Sequence, residues 1–318
     1  MVTGGAGFVG FHLCRRLLET TPHRVVILEN FIRGAKDEHF LRMLAEFPDR
    51  VIVMDEADSF PREPIDVIYH LAALNGTRLF YEMPYELLRN NVLITLRLLD
   101  HYQGKAVKIL YASSSEVYGD MDLQVPTPET TPVGFRDVFN PRWSYGHSKL
   151  FGELALINGA RINPQWRYSI FRLHNTYGPR MGFDHVVPDL LRRMAAGEDP
   201  LAIKNPDDTR SFCYIDDAVD GMMQLLDCRE AEGEIVHLGN PEEITVWQLA
   251  ETMARMFYDP MKLRRGEKLD AGSAQRRCPD IGKLARLTGF CPKVRLEAGL
   301  RLTYESYRPL FRVAAAIS

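Results

Sequence analysis

Short apolar runs rich in valine and isoleucine recur along the first part of the chain and predict buried strands. They occupy residues 23–30, 50–55, 67–72, 107–112 and 168–173. Between these runs, apolar residues recur every three or four positions, which is typical of helices. Helices are predicted on this basis at 11–18, 85–102 and 144–160. The alternation predicts a doubly wound α/β fold with a parallel sheet, whose ligands bind at the carboxyl ends of the strands.

Beyond about residue 178 the pattern changes, because shorter elements are separated by frequent prolines. Helices are predicted at 186–196, 216–227 and 246–257, and strands at 201–203 and 235–238. We therefore predict a cofactor-binding domain over residues 1–178 and a smaller α/β substrate-binding region over 179–318. Short segments are expected to cross between the two.

Composition excludes several classes of protein. Of the 318 residues, 46% are hydrophobic and 25% are charged, as in an ordinary globular protein. The net charge of -3 argues against a broad basic surface for nucleic acid, and no apolar stretch is long enough to span a membrane. Five scattered cysteines without metal-binding spacing favour a reduced, cytoplasmic protein and predict no metal site.

The chain opens with a glycine-rich turn, in which Gly4, Gly7 and Gly10 precede the first predicted helix. Such a turn lets the backbone approach a pyrophosphate, whose charge is met by the helix N-terminus. The next strand ends at Glu29, in the position from which an acid accepts hydrogen bonds from a ribose diol. This carboxylate favours NAD over NADP because it would repel a 2′-phosphate, although the nearby Arg33 weakens the preference.

A strand should precede the first glycine, yet only three residues, 1–3, are present there. Two alternatives follow. The first strand is unusually short, or the sequence begins after the start of that strand.

Polar residues that suit proton and hydride transfer follow the strand at 107–112. Ser114 and Glu116 come directly after that strand, and Tyr145 and Lys149 lie four residues apart on one face of a predicted helix. A lysine ammonium, together with the positive charge of a nicotinamide, is expected to lower the pKa of the phenol. The phenolate can then accept a hydroxyl proton while the cofactor takes a hydride from the same carbon. Ser114 can hold that hydroxyl by a hydrogen bond.

Taken together, these motifs resemble those of extended short-chain dehydrogenases/reductases in the NAD-dependent epimerase/dehydratase family, which acts on nucleotide sugars. The matching segments are 3–10, 70–73, 91–92, 113–119, 145–149, 175–180, 210–217, 238–240 and 277–280. The resemblance implies a Rossmann-type fold, NAD as cofactor and a nucleotide-sugar substrate, with a UDP-sugar favoured. It also implies a homodimer, formed through a four-helix bundle of the helices at 85–102 and 144–160.

The resemblance further implies roles for individual residues. Tyr145 is the expected base, Lys149 its helper and Ser114 the residue that orients the hydroxyl. The expected cofactor-binding residues, besides Tyr145 and Lys149, are Gly4, Gly7, Phe8, Val9, Glu29, Asn30, Arg33, Asp55, Leu71, Ala72, Ala73 and Asn91. The expected substrate-binding residues are Ser114, Ser115, Glu116, Asn175, Arg180, Val187, Arg210 and Arg277. Asn175 would contact the substrate phosphates, and Arg210 and Arg277 would grip the diphosphate or a sugar substituent.

Three reactions share the expected first step, the oxidation of sugar C4 to a 4-ketone. The ketone then allows 4-epimerisation, 4,6-dehydration or the loss of a C6 carboxylate as CO₂. Glu116 favours the last outcome, because similar 4-epimerases carry a small residue there. The Ser-Ser-Glu sequence at 114–116 resembles that of UDP-glucuronate decarboxylases and of some 4,6-dehydratases, and Arg210 within its segment resembles the decarboxylase pattern. The favoured prediction is therefore a UDP-glucuronate decarboxylase-like lyase, with an NDP-sugar 4-epimerase or 4,6-dehydratase as alternatives.

Some segments depart from the decarboxylase pattern. Residues 74–84, 140–144 and 182–188 differ from it and suggest a less common sugar. A purely structural role for Glu116 stays open. A non-catalytic NAD-binding regulator is disfavoured because Tyr145 and Lys149 are both present, and an RNA-binding role is disfavoured by the charge balance.

Overall fold

The computed structural model describes residues 1–55, 60–119, 121, 123–267 and 274–317. In the first part of the chain, the strands are β1 (Val2–Thr3), β2 (Val25–Leu28), β3 (Val51–Met54), β4 (Val67–His70), β5 (Val107–Ser114) and β6 (Trp166–Leu173). The helices between them are α1 (Phe8–Thr20), α2 (Glu38–Glu46), α3 (Thr77–Glu82), α4 (Pro84–Tyr102) and α5 (Ser144–Ile162).

The second part contains shorter strands. These are β7 (Thr176–Tyr177), β8 (Leu201–Ile203), β9 (Thr209–Ser211), β10 (Cys213–Tyr214), β11 (Ile235–Leu238), β12 (Glu243–Thr245), β13 (Leu263–Arg265) and β14 (Arg276–Arg277). The helices are α6 (Val186–Ala195), α7 (Ile215–Asp227), α8 (Val246–Phe257), α9 (Gly282–Thr288) and α10 (Leu296–Ile317).

One seven-stranded parallel sheet organises the molecule, in the order β11-β6-β5-β4-β1-β2-β3. The predicted doubly wound α/β fold is therefore confirmed. The strand order reverses between β1 and β4, and the crevice outside the carboxyl ends of the strands at such a point is where ligands bind in this class of fold. The two-residue β1 pairs with β2 on one side and with β4 on the other.

The second part returns to this sheet. Strand β11 pairs with β6 at the edge of the sheet, and α7 packs against α1. The remaining strands form small sheets, β12-β9-β14, β10-β7 and β13-β8, beside the carboxyl ends of the main strands. One apolar core runs through both parts, since it includes Leu13 and Phe171 together with Met222 and Leu249. The division at residue 178 stays a prediction.

Helix α5 lies unusually close to the sheet. A Cβ on Gly152 would overlap the hydroxyl group of Tyr111, so glycine lets the helix approach β5. This close approach brings the first turns of α5 beside the end of β5, where the site is built. In the part of the chain that the structure describes, no helix is both long enough and apolar enough to cross a bilayer.

Candidate active site

A cleft of about 1010 Å³ opens over the carboxyl ends of the central strands. Its walls include Gly4 after β1, Glu29 after β2, Leu71 after β4, Ser114 at the end of β5 and Asn175 after β6. The strand ends therefore converge on this cleft, as the fold class predicts.

The glycine-rich turn forms one end of the cleft. A Cβ on Gly10 would overlap the carbonyl oxygen of Gly4, so the turn can lie directly on the first turn of α1 only with glycine at position 10. Gly7 is the N-cap of α1, and Gly7, Phe8 and Val9 line the cleft. The N-terminus of a helix attracts anions, so this end of the cleft suits a pyrophosphate.

Glu29 is fixed beside this turn. It is buried, and its two carboxylate oxygens accept hydrogen bonds from the backbone N–H groups of Ala6 (3.1 Å) and Phe31 (3.1 Å). The backbone at Gly34 passes so close that a Cβ there would lie 2.7 Å from the carboxyl carbon. Side chains in place of the glycines would fill the space at this turn, and the Glu29 carboxylate is fixed beside it. This end of the cleft therefore fits a dinucleotide with a free ribose diol.

The other predicted cofactor residues fall into two groups. Asn30, Arg33, Leu71, Ala72 and Ala73 line the cleft.

Asp55 and Asn91 lie outside the cleft wall. Asn91 is buried behind it, where its amide bonds to the backbone of Leu74 (2.7 and 3.1 Å) and to Ser148 Oγ (3.1 Å). The geometry therefore makes Asn91 a brace between the loop after β4 and helix α5, because its side-chain atoms are already engaged. For Asp55, contact with the cofactor stays a prediction.

Ser114, Tyr145 and Lys149 meet in the middle of the cleft, as the order of the motifs predicts. Tyr145 is buried, its ring stacks on Phe80 (5.6 Å between centroids), and it forms a hydrogen bond with Ser114. The ammonium of Lys149 lies 5.9 Å from the centroid of the Tyr145 ring.

The net effect of the protein's own groups is to raise the pKa of this phenol. Burial raises the pKa of Tyr145, and the Glu116 carboxylate raises it further, whereas the hydrogen bond with Ser114 lowers it. Burial also lowers the pKa of Lys149 to about 7, against the opposing effect of Glu153. Desolvation therefore dominates among the protein's own groups at both residues. The activation expected from Lys149 together with the positive charge of the nicotinamide stays a prediction.

Glu116 is clamped by arginines. Arg277 donates from both terminal nitrogens to the two carboxylate oxygens (Nη2–Oε2, 3.0 Å), and Arg142 Nη2 lies 3.6 Å from Oε1. Burial alone would raise the pKa of Glu116, but Arg277 and Arg142 outweigh it and lower the pKa to about 2. Glu116 is therefore a carboxylate at neutral pH.

Arg142 is a residue of the site that sequence reasoning missed. It is buried and lines the cleft from the short 3₁₀ turn that precedes α5. The signal available in the sequence was its place in the segment Asn-Pro-Arg-Trp, directly before the Tyr145 helix.

Arg210 completes a cationic cluster with Arg142 and Arg277. Its Nη1 donates to the carbonyl oxygen of Thr209 (2.7 Å), and its Nη2 lies 3.5 Å from Asp208 Oδ2. Burial, together with the charge of Arg277, lowers the pKa of Arg210 to about 10. Three guanidinium groups thus face two carboxylates at this end of the cleft, which suits an anionic substrate.

The remaining predicted substrate residues are placed as follows. Ser115, Asn175 and Val187 line the cleft. Asn175 has a backbone φ of 34°, and its buried Nδ2 has no hydrogen-bond partner among the described residues.

Arg180 lines the same cleft but points toward the glycine-rich turn. Its Nε donates to Asp37 Oδ2 (2.7 Å), its Nη2 donates to the carbonyl oxygen of Ala35 (3.2 Å), and its guanidinium lies 3.9 Å from the Phe11 ring centroid. Arg180 thus holds the loop after β2 through Nε and Nη2, whereas its buried Nη1 has no hydrogen-bond partner among the described residues, so its contact with a substrate stays a prediction.

Comparison with known proteins identifies relatives of this chain. Residues 1–239 match the model of the NAD dependent epimerase/dehydratase family. The chain is 33% identical to UDP-glucuronic acid decarboxylase 5 of Arabidopsis thaliana, over 97% of this chain and 89% of that protein.

Solved structures with the same fold lead to the same family. UDP-glucose 4-epimerase of Thermotoga maritima, solved with UDP-glucose, superposes with a TM-score of 0.84 at 27% identity, over 97% of this chain and 98% of that one. UDP-glucuronic acid 4-epimerase of Bacillus cereus, in complex with UDP-glucuronic acid and NAD, gives 0.82 at 25% identity, with the same coverage. The resemblance seen in the motifs is thereby confirmed, and the chain belongs to the NAD-dependent epimerase/dehydratase family.

Proposed function

We propose that this protein is an NAD-dependent enzyme that decarboxylates a UDP-linked uronic acid through transient oxidation of C4. The observation that carries the proposal is the carboxylate of Glu116 held between Arg277 and Arg142, in the same cleft as Ser114 and Tyr145. The family membership and the decarboxylase relative support the same reaction class.

Ser114 and Tyr145 mark the position of the reacting hydroxyl group, because they are bonded to each other at the centre of the cleft. Glu116 lines the same cleft, and its negative charge raises the pKa of Tyr145. A sugar with its C4 hydroxyl at Tyr145 would present its C5 substituent to Glu116 and the arginine cluster. The arginines can then receive a carboxylate on that substituent.

The chain's own residues account for the proton chemistry. Ser114 donates a hydrogen bond to the C4 hydroxyl oxygen, and Tyr145 accepts the hydroxyl proton. NAD, when bound, accepts the hydride from C4. The resulting ketone makes the C6 carboxylate a β-keto acid, so CO₂ leaves and a proton adds at C5. Return of the hydride to C4, and of the proton from Tyr145 to the C4 oxygen, then leaves a pentose and restores NAD.

The choice of NAD rests on Glu29. Its carboxylate is fixed at the end of β2, where it can accept hydrogen bonds from a ribose diol and would repel a 2′-phosphate. The choice of a UDP-sugar rests on the relatives named above, and the departures at 74–84 leave a sugar other than plain glucuronate as a candidate.

A 4-epimerase is the second candidate, since the two solved structures described above are epimerases. To distinguish the reactions, the purified protein is incubated with NAD and UDP-glucuronate, UDP-glucose or GDP-mannose, and the products are analysed by mass spectrometry and NMR. We expect loss of CO₂ from UDP-glucuronate or a related uronate. An unchanged mass with inversion at C4 would establish epimerisation instead, and loss of water would establish dehydration.

The variant Glu116→Gln tests the choice between decarboxylation and epimerisation by changing the protein instead of the substrate. Removing the charge next to C5 should lower the rate of decarboxylation by about 10²–10⁴, the usual contribution of a positioned acid or base. Glu243→Gln is the matched control, because Glu243 also pairs with an arginine, Arg276, but lies outside the cleft wall. Full activity in Glu116→Gln would assign this carboxylate a purely structural role or favour epimerisation.

We also propose a homodimer formed through α4 and α5. These helices pack on each other and carry exposed apolar side chains, namely Tyr85, Leu88, Phe151, Leu154 and Ile162. A second copy covering this face would complete a four-helix bundle.

The five cysteines are free, which agrees with the cytoplasmic location expected from the sequence.

A further inference from the structure

We propose that Asp184 is a specificity-determining residue for the cofactor, because it pairs with Arg33 and keeps that arginine from receiving a 2′-phosphate. The inference rests on the proposed use of NAD. It concerns the choice between NAD and NADP.

The loop after β2 carries two opposed determinants. Glu29 presents a carboxylate, which suits a free ribose diol, whereas Arg33, four residues later, is the kind of residue that receives a 2′-phosphate in NADP-binding proteins of this fold class. Both residues line the cleft, and the backbone at Gly34 lies against the Glu29 carboxylate. Glu29 and Arg33 therefore share the ribose end of the cleft, and their charges favour different cofactors.

The side chain of Asp184 resolves this conflict. Its Oδ2 lies 3.3 Å from Arg33 Nη1, and its Oδ1 lies 3.7 Å from Arg78 Nε. A Cβ on Gly182 or Gly76 would lie 3.6 or 3.5 Å from Arg33 Nη2, so the paired guanidinium lies next to the backbone of two loops. The guanidinium of Arg33 is thus engaged by Asp184, which lies in the segment after β7.

The segment that carries Asp184 is anchored independently. Arg180, in the same segment, is bonded to Asp37 at the far end of the loop after β2, and Tyr307 donates a hydrogen bond to the carbonyl oxygen of Met181. These contacts tie the segment that carries Asp184 to the loop after β2 and to α10.

The experiment measures the ratio of the NADP and NAD dissociation constants by displacement of bound NADH, followed by its fluorescence. The Asp184–Arg33 pair is partly exposed, so in Asp184→Asn the ratio should fall about 5- to 10-fold in favour of NADP. Adding Arg33→Gln to that variant should restore the original ratio. Arg33→Gln alone should leave NADP affinity nearly unchanged, because the arginine is already engaged.

Asp189→Asn is the matched control, since Asp189 also lines the cleft and pairs with an arginine, Arg192, at 2.6 Å. It should leave the ratio unchanged, which separates release of Arg33 from a general loss of negative charge. An unchanged ratio in an Asp184→Asn protein that still binds NAD would overturn the inference, and so would an equal shift in the control. If the wild-type protein binds neither dinucleotide, the proposed cofactor is wrong and the inference falls with it.

Discussion

At Tyr145 the protein environment opposes ionisation of the phenol. Burial and the charge of Glu116 both raise its pKa, and only the hydrogen bond with Ser114 acts the other way. The residue is thus held in place by Ser114 and by the stacked ring of Phe80 before it reacts. In the proposed reaction, its role as proton acceptor depends on the position of its hydroxyl.

Tyr145→Phe should therefore lower turnover by about 10²–10⁴ and leave dinucleotide binding intact. The ring and its stacking on Phe80 are retained, so the fold should be unaffected. Steady-state rates and NADH displacement measure the two properties separately. Tyr85→Phe, which changes an exposed phenol on α4, should behave as wild type. Normal turnover in Tyr145→Phe would contradict the assignment.

The burial of Lys149 should make the stability of the protein depend on pH. Its pKa is lowered from 10.5 to about 7 by burial, so between these values the unfolded chain binds more protons at this site than the folded chain does. Its contribution to the free energy of unfolding therefore rises as pH increases from about 7 to about 10. Lys149→Met lacks this contribution. The free energy of unfolding of wild type should therefore rise relative to that of Lys149→Met as pH increases over that range.

Urea denaturation of both proteins across this range measures the difference. A constant difference between Lys149→Met and wild type would mean that the lysine titrates normally in the folded protein.

At the scale of elements, the sequence pattern predicted the long helices α4 and α5 and the buried strands of the main sheet well, but it did not predict α10, which has 22 residues. Helix α5 was predicted at 144–160 and occupies Ser144–Ile162, because its apolar positions recur at helical spacing over several turns. The strands β9, β12 and β14 were not predicted. They contain two or three residues, too few to show a period of two, and pairing with distant strands defines them.

The proposed dimer contact through the exposed faces of α4 and α5 can be tested by substitution. Leu154→Asp places a charge on the proposed dimer face and should produce a monomer, because desolvating an unpaired carboxylate in an apolar interface is costly. The control is Leu41→Asp on α2, since Leu41 is 54% exposed and Leu154 is 53% exposed. Size-exclusion chromatography with light scattering gives the masses. An unchanged mass for Leu154→Asp would exclude this face.

At the scale of the whole molecule, a buried polar network links the site to the edge of the sheet. Glu153, one turn after Lys149, accepts hydrogen bonds from Arg172 on β6 (2.7 and 2.8 Å). Arg172 also donates to the hydroxyl of Tyr118 (2.7 Å), which is bonded to His237 on β11 (2.6 Å). Helix α5 and two strands from different parts of the chain are joined in this way.

Arg172→Met should destabilise the protein by about 3–5 kcal/mol, because it leaves the Glu153 carboxylate buried without its cation. Adding Glu153→Gln should recover part of that loss, since the buried charge is then removed as well. Chemical denaturation measures both changes. Arg167→Met is the control, because Arg167 lies on the same strand but its side chain is exposed. Additive losses in the double variant would show that the two residues do not interact.

The sequence by itself determined the strand–helix alternation, the glycine turn and the Tyr145–Lys149 spacing, since each is a pattern among near neighbours in the chain. Only the tertiary structure decided what the charged side chains do. Arg277 meets Glu116 across 161 residues, and Arg180 meets Asp37 across 143. Such pairs depend on which loops converge at the carboxyl edge of the sheet, and local spacing carries no information about that convergence. The rise that burial causes in the pKa of Tyr145 is likewise a property of the tertiary structure, because desolvation depends on everything packed around that residue.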